Sequence, residues 1–194
     1  PDQHVDEPLM HAMALRVFDV SFQGGEGDKA IGPMEQWLRG HPDDLQARAA
    51  LAEGYLRLGR LSLAREAYEA LLVRAPGHAV ATNNLAQVLM RMGDPGAMAM
   101  AERAVRLAPG DANALDTLGW LQARSGAMES ALKALREARL RAPESRDIRF
   151  HLAWVLNRSG KREEARTELA AALAGKGIFE SDLEAQTLRR ELGV

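Results

Sequence analysis

Along residues 45–78 apolar side chains recur at helical spacing. Arg48, Leu51, Ala52 and Tyr55 stand at i, i+3, i+4 and i+7, which predicts a helix over 45–58. Gly59 is expected to end it, because glycine enters the left-handed region without a Cβ penalty. A second helix is predicted over 61–74, with Ala64, Ala67, Tyr68, Leu71 and Leu72 on one face. Ala75-Pro76-Gly77 then turns the chain onward. Each helix is about 14 residues, or roughly 21 Å, long. A hairpin of that size cannot bury its own apolar face, so neighbouring hairpins must stack.

The same unit recurs along the chain. Gly25, Gly59, Gly93, Gly126 and Gly160 follow one another at intervals of 34, 34, 33 and 34, and Pro42, Pro76, Pro109 and Pro143 at 34, 33 and 34. Eight residues before each glycine stand Val17, Leu51, Leu85, Leu118 and Leu152. Seven before stand Ala52, Ala86, Gly119 and Ala153, and five after stand Ala30, Ala64, Ala131 and Ala165. These small residues are expected where two helices approach closely, and added bulk there should cost roughly 1–3 kcal/mol. In the third unit the turn Gly93-Asp94-Pro95-Gly96 is one residue short, and Ala97 takes the small position.

Both ends depart from the pattern. The first unit carries Phe18 at a small site, a Gly24-Gly25-Glu26-Gly27 turn, and Pro33, which suggests a second helix starting late with the proline in its first turn. At the other end Gly175-Lys176-Gly177 replaces the proline. Ser181 with Glu184 three residues on reads as a capping box for a last helix over 181–192, with Leu183, Leu188 and Leu192 covering the end of the stack. The expected organisation is an arm at 1–8, a divergent unit at 9–43, repeats at 45–78, 79–111, 112–145 and 146–176, and a capping helix within 180–194. The chain opens on Pro1 rather than Met, which reads as a piece of a longer polypeptide.

Leu51-Ala52, Tyr55, Ala64, Tyr68 and Pro76, with Leu118-Gly119, Ala131, Ala138, Pro143, Leu152-Ala153 and Ala165, carry a resemblance to the tetratricopeptide repeat (TPR) family. The resemblance spans about 45–174, and more weakly 9–42. It implies an all-α, right-handed superhelical solenoid of antiparallel helix pairs, with a concave groove lined by the first helix of each pair. The tracts ALDTLGWLQARSGAMESALKALREA and IRFHLAWVLNRSGKREEARTELAAAL also look like the C-terminal repeats of long bacterial TPR lipoproteins that accompany exosortase-type sorting and exopolysaccharide export. That resemblance would place the chain with the cell envelope; otherwise a bacterial cytoplasm or periplasm fits.

Composition narrows the chemistry. A net charge of −2 gives no footprint for nucleic acid. With no cysteine, disulfides and thiolate metal sites are excluded, and no apolar run approaches the roughly 20 residues of a membrane helix. His4, His11, His41, His78 and His151 show no i, i+4 metal spacing, and His41 and His78 read as turn residues. Ser130-Ala131-Leu132-Lys133 matches a Ser-x-x-Lys pattern, but inside a repeat helix and without its partner motifs. No catalytic activity, metal or cofactor is expected.

A binding surface is expected on the first helices. Arg57, Arg91, Arg124 and Arg158 stand two residues before the last four turn glycines, and Glu53, Gln87, Trp120 and Trp154 six before them. With Asn83, Asn84, Asn113, Phe150 and Asn157 they would line the groove and bind a peptide, since Arg and Trp are common interface anchors and the guanidinium fork suits carboxylates. The alternatives are structural. A cation in the last turn of a helix gains about 0.3–1 kcal/mol from the dipole, and the tryptophans could pack between repeats. A chaperone-tail clamp is disfavoured, because only Asn84 fits its lysine–asparagine set. The sequence thus suggests a non-catalytic protein-interaction scaffold. A regulatory or substrate-selecting array of a larger enzyme or envelope assembly is one alternative, and a self-assembling scaffold joined through its repeat ends is another.

Overall fold

The computed structural model describes residues 7–175, 179 and 181–193. The arm before Glu7, with His4, and the Lys176-Gly177 part of the last turn lie outside them. The described residues form eleven α-helices and no strand. Helices α1 (Glu7–Gln23), α2 (Gly27–Gly40), α3 (Leu45–Arg57), α4 (Leu61–Arg74) and α5 (Ala79–Met92) belong to one compact unit that ends at Asp94. Helices α6 (Ala97–Leu107), α7 (Ala112–Arg124), α8 (Met128–Arg141), α9 (Arg146–Arg158), α10 (Arg162–Leu173) and α11 (Asp182–Leu192) belong to a second, which starts at Pro95. The division falls on the shortened turn. Within each unit every helix packs on its neighbours in sequence.

The punctuation works as expected. Gly25, Gly59, Gly93, Gly126 and Gly160 all have φ between 71° and 89°. At each of them the chain closes with paired bonds, such as Arg60 N–H to the Tyr55 carbonyl at 2.8 Å and Gly59 N–H to Leu56 at 3.0 Å. The other end of each later first helix is capped by a residue fifteen before the glycine. Asp44, His78, Asp111 and Ser145 accept from the N–H of Ala47, Ala81, Ala114 and Ile148. His78 does so through Nδ1 at 3.2 Å, so it is a helix cap rather than only a turn residue. Arg48 and Arg149, both eleven before a glycine, donate at 2.6 Å to the carbonyls of Pro42 and Pro143.

The small positions are buried contacts. A Cβ on Gly119 would lie 2.7 Å from Leu135 and 3.3 Å from the Ala131 carbonyl. Phe18 is buried despite standing at a small site, and the reason lies on α3. A Cβ on Gly54 would lie 2.5 Å from the Phe18 ring, so glycine there makes the space that phenylalanine fills.

Several expectations are corrected. The second helix of the first unit does not start late. α2 begins at Gly27 and carries Pro33 in its interior, held on both sides of the proline by buried Ala30, Ile31 and Met34. Ser181 makes no side-chain cap; its backbone N–H donates to Asp147 Oδ1 at 3.0 Å. The buried side of α11 is Ala185, Leu188 and Leu192, while Leu183 is exposed. Arg166 ties α10 to the end of α11 by donating to the Leu192 carbonyl.

Trp37 and Tyr55 each make contacts across helices of the first unit. Trp37 on α2 stacks between His41 (ring centroids 3.9 Å apart) and His11 of α1 (5.7 Å), and its indole donates to Asp44 Oδ2 at 2.7 Å. Burial pushes the Asp44 carboxyl up, but the Ala47 N–H, the Trp37 indole and the neighbouring His11 outweigh it and hold the group below its ordinary 3.8. Tyr55, buried and donating to Glu35 at 2.5 Å, is pushed up to about 12.

Gly54→Val should destabilise the chain by roughly 1–3 kcal/mol in chemical denaturation, the range for overpacking, and Phe18→Ala in the same chain should recover much of that loss. Asp44 has a lowered folded-state pKa, so its contribution is present above about pH 4 and lost as pH falls through the folded value. The stability difference between wild type and Asp44→Asn, expected near 1 kcal/mol, should therefore shrink as pH falls below 4 in thermal melts.

Candidate functional site

The aromatic surface of the second unit is built by α7 and α9. Trp120 and Trp154 occupy the same place in consecutive repeats, six residues before the turn glycine, and both are half-buried. Their rings meet edge to face, 5.2 Å between centroids and 80° between planes. The indole of Trp120 also stacks on the imidazole of His151 at 4.3 Å and 18°. His151 Nδ1 lies 2.8 Å from Asp116 Oδ1, which fixes the ring across the α7–α9 gap. The Arg158 guanidinium lies 4.7 Å over the Trp154 ring. Stacking uses the face of a guanidinium and leaves its N–H edge available to an acceptor. Arg124 is exposed at the end of α7, Asn113 is exposed at its start, and Asn157 is half-buried.

His151 and Asp116 were not among the expected site residues. A signal existed: His151 stands one turn before Trp154, and Asp116 one turn before Trp120, so each polar residue is set beside a tryptophan on its own helix. Phe150 is corrected. It is 1% exposed and belongs to the apolar core with Leu152, Leu156 and Leu188, and it meets Trp120 from beneath at 6.0 Å.

In the first unit the expected site residues are largely committed elsewhere. Asn83 is 5% exposed, too enclosed to line an open surface. Asn84 donates to the Tyr68 hydroxyl at 3.0 Å, joining α5 to α4, which also removes the one residue that fitted the chaperone clamp. Arg91 donates to the Leu56 carbonyl at 3.2 Å, and Arg57 lies 4.6 Å over the Phe22 ring. Gln87 is half-buried on α5.

A concavity of the second unit lies among α8, α9 and α10, with a volume of about 390 Å³. Its floor is Leu152 and Leu156. Its rim is self-paired, with Arg136 bonded to Glu164 at 2.6 Å and Glu168 shared between Arg139 at 3.2 Å and Arg149 at 2.8 Å. Among the described residues no group of three or more His, Asp or Glu side chains is placed to hold a metal ion, and no helix is long and apolar enough to cross a membrane.

Stacked helical hairpins with a half-exposed aromatic and basic face define a helical-repeat protein, and comparison with known proteins supplies the family. Two tetratricopeptide repeat models match, one over residues 18–79 and 49–112, the other over 122–176. The chain belongs to the tetratricopeptide repeat family, whose fold is a protein–protein interaction scaffold. It is 28% identical over 159 residues to the TPR repeat-containing protein PA4667 of Pseudomonas aeruginosa, covering 78% of this chain and 25% of that protein. The chain thus spans about a quarter of the length of that curated relative. Among solved structures it is similar to TTC0263, a thermophilic TPR protein of Thermus thermophilus, with TM-score 0.75 and 24% identity over 93% of this chain and 97% of that one. It is similar to PilW, a type IV pilus biogenesis factor, with TM-score 0.77 and 21% identity over 94% and 86%. YrrB, described as a TPR protein with an unusual peptide-binding site, gives TM-score 0.60 and 19% identity over 90% of each chain.

Proposed function

We propose that the second unit is a non-catalytic peptide-binding module. Its ligand is an extended or helical segment of a partner protein lying across the α7–α9 face. The observation that carries this reading is the Trp120–Trp154 pair, two large rings held half-exposed side by side when a purely structural tryptophan could sink further into the stack. Arg124 and the free edge of Arg158 supply donors for a carboxylate or backbone carbonyl of the ligand, and Asn113 and Asn157 supply polar contacts at the rim. The likeness to YrrB supports a peptide as the kind of ligand for such a fold. Arg57 and Arg91 are expected to contribute less, since in the first unit Glu53 and Gln87 stand where the second unit has its tryptophans, and Arg91 already donates to the Leu56 carbonyl.

The test is selection of 12-residue peptides from a displayed random library on the 194-residue chain, followed by calorimetry. Selected peptides should bind Trp120→Ala/Trp154→Ala at least tenfold more weakly than wild type, a modest value for two anchor residues. Arg57→Ala/Arg91→Ala should change affinity less than threefold. Unchanged affinity in the tryptophan variant, with circular dichroism showing it folded, contradicts the assignment.

A further inference from the structure

The first helix presents an apolar stripe to solvent. Met13 is 53% exposed, and Val17 and Val20 are each 57% exposed. Spaced four and three apart, they lie on one side of α1. The repeat register makes the stripe informative. Met13, Val17 and Val20 stand twelve, eight and five residues before Gly25. Before Gly160 the same places are Ile148, Leu152 and Val155, at 1%, 3% and 0% exposure. The equivalent residues of α3, α5 and α7 are likewise buried or half-buried. Each of those helices packs on the second helix of the repeat before it: α3 on α2, α5 on α4, α7 on α6 and α9 on α8. On α1 the interface half is present, apolar and in register, and no described helix lies against it.

We propose that this face is a helix-docking surface, and that its occupant is one more second helix of the same repeat type. That helix would carry a small residue beside a large apolar one, as α4 does with Ala64 and Tyr68, and would come from a repeat continuing the array on the α1 side. The interface would be a further copy of the contact already made four times. A second copy of the chain is the poorer occupant. With Met10, 44% exposed on the same side, four side chains at about half exposure offer roughly 400 Å² per partner, below the ~800 Å² of a stable dimer. The last helix differs: α11 buries Ala185, Leu188 and Leu192 and turns Glu184, Arg189 and Arg190 outward, with Leu183 alone among its leucines exposed.

Hydrogen exchange on the full-length protein and on the 194-residue chain tests this. Amides of residues 13–20 should exchange at least tenfold more slowly in the full-length protein. Val17→Glu should abolish that slowing while leaving the 194-residue chain unchanged, and Met13→Glu serves as the second variant. Equal exchange in both proteins overturns the proposal. So does slow exchange in the 194-residue chain that increases with protein concentration, which would mark a second copy on the same face.

Discussion

Everything in this chain depends on how closely one helix of a hairpin can approach the next. A hairpin of two helices cannot enclose an apolar core, so stability comes from each repeat covering the last. The approach is set by small residues at fixed places, and the tolerance is narrow: at Gly119 even a methyl group would collide with Leu135. The Phe18–Gly54 pair shows that the requirement belongs to the contact and not to either position. When one side becomes large, the other becomes glycine. Added bulk at one member of such a pair is therefore tolerated only with a compensating loss on the other, which is the non-additivity expected of touching residues.

The same register that forms the stack also distributes the remaining chemistry. Residues seven before each glycine are buried, and those eight before Gly59, Gly93 and Gly160 join them, while those six before stand at the edge of the first helix, where a large ring can be half covered by the core and half open. Trp120 and Trp154 occupy that edge, and His151 and Asp116 brace them. The first unit puts Glu53 and Gln87 there instead, so the two units share a fold and differ in the chemistry of that edge.

The turn glycines, the helix limits of the inner repeats and the small contact positions were legible in the sequence because each follows from local backbone or packing rules repeated several times. Where only one copy existed, the reading failed. Pro33 looked like a helix start, yet the burial of Ala30, Ile31 and Met34 outweighs the lost hydrogen bond. Leu183 looked like the covering residue of α11, yet Ala185 takes the inward side. Phe150 and Asn83 were placed on the surface by spacing, although both stand ten before a glycine, a place that neighbouring structure can enclose. The arginines shared a position but not a role: the sequence period aligned them, while the aromatic or carbonyl each one meets depends on tertiary contacts that the period does not encode.

The central claim is that one helix edge in the second unit is kept open for a partner while the other register positions build the stack. The most direct measurement is a nitrogen–proton NMR map of the chain titrated with a peptide selected on it. The account predicts shifts concentrated at the indole N–H signals of Trp120 and Trp154 and at the amides around His151 and Asn157. Shifts gathered instead at Arg139, Leu140 and Thr167, around the cavity between α8 and α10, would contradict it.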